Sequence, residues 1–160
     1  MSSVVCNASP LITLAKAELL HLLPKLFDEV CLPPAVLTEI TRGPADDPMR
    51  IMLPGATWLR RVRLDPPLSP LAAWQLGSGE AEVIEFARLT PGYGVILDDL
   101  AARRAALGLG LTVYGTLSVL ALAHRRGFIP LFREAVSAVS LSGFYISPSL
   151  IDSIAAELGE

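Results

Sequence analysis

Several things are scarce in this chain, and each shortage removes a class of answer. Only two cysteines occur among 160 residues, Cys6 and Cys31. Both lie in apolar, strand-like runs, so no disulfide framework is available and they read as reduced core residues. The two histidines, His21 and His124, are far apart in sequence. That argues against a His-based zinc site and against a Ser-His-Asp triad. Positive charge is not in excess: the net charge is −3. A global nucleic-acid footprint is therefore missing, and any contact with a polyanion must come from local clusters. There is no Walker loop, and Gly108 and Gly110 precede a strand instead of following one, which removes support for dinucleotide binding. Met1 is not followed by a signal peptide, so the expected location is cytoplasmic. One run without acid or base, Ala105 to His124, has the length of a membrane span, which needs about 20 apolar residues. Gly108, Gly110, Thr112, Gly115, Thr116 and Ser118 break it into a turn, a strand and a helix, so no membrane partner is expected.

What the chain does have is aliphatic mass. Hydrophobic residues make up 52% and aromatics only 6%, with a mean hydropathy of +0.51. Ala, Leu, Val and Ile in such quantity fit a sheet buried on both faces by helices. The length suits a single domain over residues 1–160. The organising stretch is Val4-Val5-Cys6-Asn7-Ala8-Ser9-Pro10-Leu11-Ile12. A β-branched strand stops at Asn7, Ser9 offers a helix N-cap, and Pro10 suits a first helical turn. Helical periodicity then predicts a helix from Ser9 through about Leu23. A short strand, Glu29 to Leu32, precedes a helix from Ala35 to Arg42, opened by Pro34 and stopped by Gly43-Pro44. A short helix is expected around Met49 to Leu53, an edge strand within Trp58 to Leu64, and a Pro-rich loop over Asp65 to Pro70. Helix Glu80 to Leu89, strand Gly94 to Leu97, helix Leu100 to Leu107, strand Leu111 to Tyr114 and helix Leu117 to Arg126 follow. Helices near Pro130 to Val139 and Pro148 to Leu158 close the chain. The alternation predicts an α/β three-layer αβα sandwich with a mainly parallel central sheet and right-handed crossovers.

In such a sheet the residues at strand ends gather at one edge, where ligands bind. Those residues are Asn7 and Ser9, Glu39, Glu80 and Glu82, Asp98 and Asp99, and Thr116. Each has an ordinary structural explanation: Glu80 and Glu82 complement a helix dipole, Asp98 caps the next helix, and Glu39 lies on a solvated face. Jointly, clustered carboxylates repel by a few kcal/mol each at low effective dielectric. A divalent cation among them relieves that repulsion. Oxygen ligands without clustered Cys or His favour Mg²⁺ or Mn²⁺ over zinc.

This ordered set resembles the PIN domain, the fold of metal-dependent ribonucleases that includes many toxins of toxin–antitoxin pairs. The resemblance rests on the Val4–Ile12 stretch, Pro34-Ala35-Val36-Leu37-Thr38-Glu39-Ile40 and Leu76-Gly77-Ser78-Gly79-Glu80-Ala81-Glu82. It continues through Val95-Ile96-Leu97-Asp98-Asp99 with Ala102-Arg103, and Gly115-Thr116-Leu117. The closing Gly143-Phe144-Tyr145-Ile146-Ser147 is similar to the tail of a PIN-like subgroup long known only as a domain of unknown function. The resemblance implies Asn7 in place of the first acid, with Ser9 beside it, Glu39 as the second acid and Glu80 as the third, Glu82 being the close alternative. Asp99 is the fourth, or Asp98 one residue earlier, with Thr116 in support. An amide at the first position supplies an oxygen but no charge, which lowers cation affinity.

The implied activity is a Mg²⁺- or Mn²⁺-dependent endoribonuclease in which Glu39, Glu80 and Asp99 hold metal, with Glu82 and Asp98 as alternative ligands. Arg103, one turn after Asp99, reaches a phosphate in this scheme, and Arg60, Arg61 and Arg63, or Arg125 and Arg126, track an RNA backbone. The partners implied are an RNA substrate, an antitoxin protein and a second copy of the chain as a homodimer. The alternative is a catalytically weak or inactive PIN-fold protein acting through RNA or protein binding, and Asn7 is what motivates it. A receiver-type phosphotransfer domain is disfavoured, because receivers place an acidic pair after strand one.

Overall fold

Val4, Val5 and Cys6 are fully buried in succession. Side chains on a strand alternate between two faces, so unbroken burial means that both faces are covered. Val30-Cys31-Leu32 and Val95-Ile96-Leu97 show the same unbroken burial. The computed structural model, which describes residues 2–67 and 76–160, accounts for this with a central sheet flanked by helices. In chain order these are β1 (Ser2–Cys6), α1 (Ala8–Lys16), α2 (Leu22–Leu26), β2 (Phe27–Leu32), α3 (Pro34–Arg42) and α4 (Pro48–Met52). A short 3₁₀ turn (Leu53–Gly55) leads to β3 (Leu59–Arg61). Then come α5 (Ser78–Leu89), β4 (Tyr93–Ile96), α6 (Leu100–Gly108), β5 (Val113–Tyr114), α7 (Thr116–Arg125), α8 (Phe132–Leu141) and α9 (Pro148–Glu157).

The five strands lie in the order β3-β2-β1-β4-β5 and every pairing is parallel. The expected α/β sandwich is the fold the chain adopts. From β1 the chain steps outward to β2 and β3 on one side, then returns to β4 on the other. The strand order therefore reverses between β1 and β4, and a crevice opens at the carboxyl ends of those two strands. Asn7 follows β1 there, and its backbone N–H donates to Ile96 O at 3.1 Å.

Local chemistry moved several boundaries. The first helix stops at Lys16 and not near Leu23. Glu18 takes a left-handed conformation, φ 58°. Leu19 N–H then reaches Leu14 O at 2.8 Å and Glu18 N–H reaches Ala15 O at 3.1 Å. This bond pair closes a helix C-terminus in a Schellman motif, normally built on glycine. With glutamate there, the sequence carries no stop signal. The expected N-cap also shifts: Asn7 is the N-cap residue of α1, without a side-chain cap bond, and Ser9 is exposed inside the helix. The edge strand within Trp58 to Leu64 is β3, and of the Pro-rich loop, residues 68–70 lie outside the described residues. Among the described residues no helix is long and apolar enough to cross a membrane.

Candidate active site

Asn7 is only 4% exposed, held at the end of β1 where its backbone joins the sheet. Its Oδ1 is buried and has no hydrogen-bond partner among the described residues. Such an oxygen carries a desolvation cost of about 1–3 kcal/mol, so it marks a place where something else is accepted. Two glycines explain how other oxygens come near it. Gly79, in the first turn of α5, leaves room that a Cβ would fill at 2.9 Å from Asn7 Oδ1, 3.3 Å from Val36 Cγ2 and 3.4 Å from Glu39 Oε2. Gly77, just before α5, lies under the Glu80 carboxylate, which any side chain at 77 would strike. The sequence Gly77-Ser78-Gly79 thus folds so closely against β1 and α3 that Asn7 Oδ1 and Glu39 Oε2 border one small space, with the Glu80 carboxylate over Gly77 and near enough to act on Glu39.

Electrostatics report the same proximity. Burial of its carboxyl end, and next the neighbouring Glu80 carboxylate, hold Glu39 above the ordinary carboxylate range. The two acids line an open groove of about 790 Å³ together with Thr38, Arg42 and Glu82. Glu82 is already engaged: its Oε2 accepts Ala35 N–H at 3.0 Å at the start of α3. Its place is a cap between α5 and α3, where it complements the helix dipole.

At the end of β4, Asp98 makes two bonds to Thr116. Its Oδ1 accepts Thr116 N–H at 2.8 Å and its Oδ2 accepts the Thr116 hydroxyl at 2.6 Å. Thr116 is fully buried, so this pair ties β4 to the start of α7. Thr116→Val keeps the shape and removes the hydroxyl donor, leaving one carboxylate oxygen without its partner. We expect a loss of about 1–3 kcal/mol, read as a thermal midpoint several degrees lower, at about 2–4 °C per kcal/mol for a chain of this size. Asp98 also acts on its other side: its charge, after burial, raises the Cys6 thiol well above its ordinary value. Cys6 is therefore a reduced, unreactive core thiol, and its Sγ lies 3.4 Å from Asn7 O.

A family model described as a PIN domain matches residues 3–160. This chain is a PIN-domain protein. No curated protein matches it. PIN-domain proteins are in general nucleases that use divalent metals, which gives the strand-end oxygens of this PIN-domain protein their interest. In kind they fit: amide and carboxylate oxygens are what Mg²⁺ and Mn²⁺ take, and the orphaned Asn7 Oδ1 faces the same small space as Glu39 Oε2. In number the set is spare. Among the described residues no three Asp, Glu, His or Cys side chains group so as to hold a metal ion.

Of the residues singled out from sequence, Glu39 therefore has Asn7 on one side and Glu80 on the other, while Asp98 pairs with Thr116. Asp99 does not join Glu39 and Glu80; exposed at the surface, it caps α6 by accepting Ala102 N–H at 2.9 Å. The capping role expected of Asp98 belongs to Asp99, because α6 starts at Leu100 and the residue immediately before it takes the N-cap position. Arg103 Nη1 donates to Leu97 O at 3.3 Å, occupying space that a Cβ on Gly115 would fill. Among the arginines expected to follow RNA, Arg60 is bound to Glu29 at 2.6 Å and Arg126 to Leu26 O at 2.9 Å. Arg42 went unnoticed in the sequence although its spacing, three residues after Glu39, puts it on the same helix face.

Proposed function

We propose that this PIN-domain protein is a Mg²⁺- or Mn²⁺-dependent endoribonuclease whose cation site is built on Asn7, Glu39 and Glu80. The observation that carries the reading is the buried, donorless Asn7 Oδ1 beside two mutually repelling carboxylates at the sheet's switch point. Asn7 Oδ1 and Glu39 Oε2 would hold the ion, with Glu80 adding the second negative charge. A divalent cation bound there supplies positive charge against the phosphate and makes water a better nucleophile at neutral pH. The chain's own groups do the rest. Burial at Asn7 excludes bulk water from one side of the pocket, which strengthens the electrostatics inside it. Asp98, oriented by Thr116, keeps a fixed carboxylate at the end of β4, where it would accept a hydrogen bond from an attacking water. Arg42 lies on the rim of the groove, within reach of an incoming phosphate backbone.

The same packing supports a sharp test at a glycine. In a helix, alanine is favoured over glycine by about 1 kcal/mol. At position 79 the added methyl meets Asn7 Oδ1 and Glu39 Oε2. Gly79→Ala is expected to leave the thermal midpoint within about 3 °C of wild type and to lower RNA cleavage about tenfold to hundredfold, as small misplacements of reacting groups do. Cleavage of single-stranded and structured RNA with Mn²⁺, and its loss in a chelator, is the direct assay. Equal cleavage by wild type and Glu39→Gln would identify a contaminant or a wrong site.

A second reading, a PIN-fold protein without catalysis, is favoured by the amide at position 7. In it the Asn7 amide turns so that its NH₂ donates to Glu39 and no cation is taken. Its mark is a thermal midpoint indifferent to Mg²⁺ and Mn²⁺, since a ligand that binds only the folded state must stabilise it. A toxin role with an antitoxin partner is supported by the family likeness and by exposed apolar side chains at Ile51 and Leu141, which offer faces for a partner or a second copy.

A further inference from the structure

A second cavity, about 460 Å³, lies on the Asp98 side of the sheet edge, between α6, α7 and the chain running from Phe144 into α9. Its volume is that of a small-molecule pocket. The floor is apolar, from Leu117, Ala121 and Ile154, while Arg103 and Arg125 bring two guanidinium groups to it. Among the described residues neither arginine is in an ion pair. The pocket's carboxylates are Asp98, already bonded to Thr116, and Glu157. At the mouth stands Tyr145, 84% exposed, an aromatic ring with almost none of its surface packed. An exposed ring, apolar lining and two guanidinium groups outside any ion pair, Arg103 with one Nη1 donor given to Leu97 O, are what a nucleotide needs: a face to stack on, a dry place for the base, and donors for phosphate oxygens.

We propose that this pocket binds one nucleotide of single-stranded RNA, its base stacked on Tyr145 and its phosphates at Arg103 and Arg125. The inference rests on the nuclease reading and deepens it, assigning a nucleotide subsite to the pocket beside Asp98. Asp98 links the two places: it lines this pocket and closes β4, next to the β1 end that carries Asn7. A nucleotide seated here would lie on the β4 side of the sheet edge whose β1 end carries Asn7, and would set the register of a strand that crosses from one to the other. A peptide segment is the rival occupant. It would use the apolar lining but has no need of two guanidinium groups outside any ion pair beside an open ring.

The test is fluorescence anisotropy with a labelled single-stranded RNA octamer, full-length protein and a chelator, so that binding is read without cleavage. Tyr145→Ala is expected to weaken binding about tenfold, with Tyr145→Phe retaining wild-type affinity. Arg125→Gln is expected to weaken it several-fold and to flatten the salt dependence by about one unit of slope. Arg104→Gln, on the same helix as Arg103 but outside the pocket, should bind as wild type does. Tyr145 and Arg125 are exposed, so thermal midpoints should be unchanged in their variants. Unaltered affinity in Tyr145→Ala and Arg125→Gln, an equal loss in Arg104→Gln, or no RNA binding by wild type would overturn the proposal. Pocket-dependent binding without cleavage would defeat the nuclease reading alone. Cleavage with pocket-independent binding would defeat this inference alone.

Discussion

Glu39→Gln lowers metal-dependent RNA cleavage about a hundredfold or more while making the metal-free protein more stable. The loss follows from removing a charged oxygen from the cation site, where even supporting groups are worth about 10–100-fold. The gain follows from the environment of Glu39. Burial first, and the charge of Glu80 second, raise its folded pKa above the ordinary carboxylate value. The folded state then holds the proton more tightly than the unfolded chain does. Stability thus falls as pH rises from the unfolded carboxylate value through the raised folded one, because unfolding releases a group that ionises more easily. At pH 7 in chelator the wild-type carboxylate is a burden, and the neutral amide relieves it. Much of Glu39 stays in solvent, so screening limits the effect; a midpoint higher by about 1–3 °C is expected. Below about pH 4, where both states are protonated, the difference should vanish. Glu80→Gln should show the same pair of signs, since it removes the charge that opposes Glu39. Calorimetry at pH 4 and pH 7, beside the cleavage assay, checks both. A variant that merely damaged the fold would lose activity and stability together.

Asn7→Asp produces the second large effect, in the opposite direction. A carboxylate at position 7 adds a negative charge next to Glu39, which Glu80 already repels, at a position only 4% exposed. Without metal it should lower the thermal midpoint at neutral pH by several degrees, less so at low pH where the new acid keeps its proton. With Mn²⁺ the sign reverses, because cation affinity rises with the number of charged ligands. Binding about tenfold or more tighter is expected, with cleavage at limiting Mn²⁺ rising in proportion. Isothermal titration with Mn²⁺ and cleavage across a metal series measure the two. If Asn7→Asp destabilises at every metal concentration, position 7 is a packing residue and not a ligand.

Much of this was legible because parallel sheets write themselves plainly. Unbroken apolar runs such as Val95-Ile96-Leu97, each followed by a polar residue and a helix, require a sheet covered on both faces and put the polar residues at one edge. Asn7 can be collected from that rule alone, while Glu39 and Glu80, which lie within helices, are assigned to the site through the family resemblance. Where the reading failed, the deciding contacts were specific to three dimensions. Asp98 and Asp99 are adjacent and chemically identical, and only the hydroxyl of Thr116, eighteen residues later, sends one to the sheet edge and the other to a helix cap. Glu82 is the close alternative to Glu80 in the sequence, and only the start of α3, whose Ala35 N–H lies 3.0 Å from Glu82 Oε2, separates their roles. The end of α1 was hidden because Glu18 adopts a conformation that glycine usually signals. Gly77 and Gly79 read as a loop before a helix. Their other use, clearing space for Glu80, Asn7 and Glu39, depends on strands and helices far apart in sequence.

The measurement that bears most directly on the account is a Mn²⁺ titration of the full chain followed by thermal midpoint, in wild type and Glu39→Gln side by side. Folded-state binding at a hundred times the dissociation constant stabilises by about 2.7 kcal/mol. The wild-type midpoint should climb by several degrees and then level off, while that of Glu39→Gln stays nearly flat from its slightly higher start. A wild-type midpoint indifferent to Mn²⁺ and Mg²⁺ at millimolar concentration, or one that rises equally in the variant, would contradict the claim that Asn7, Glu39 and Glu80 form a cation site.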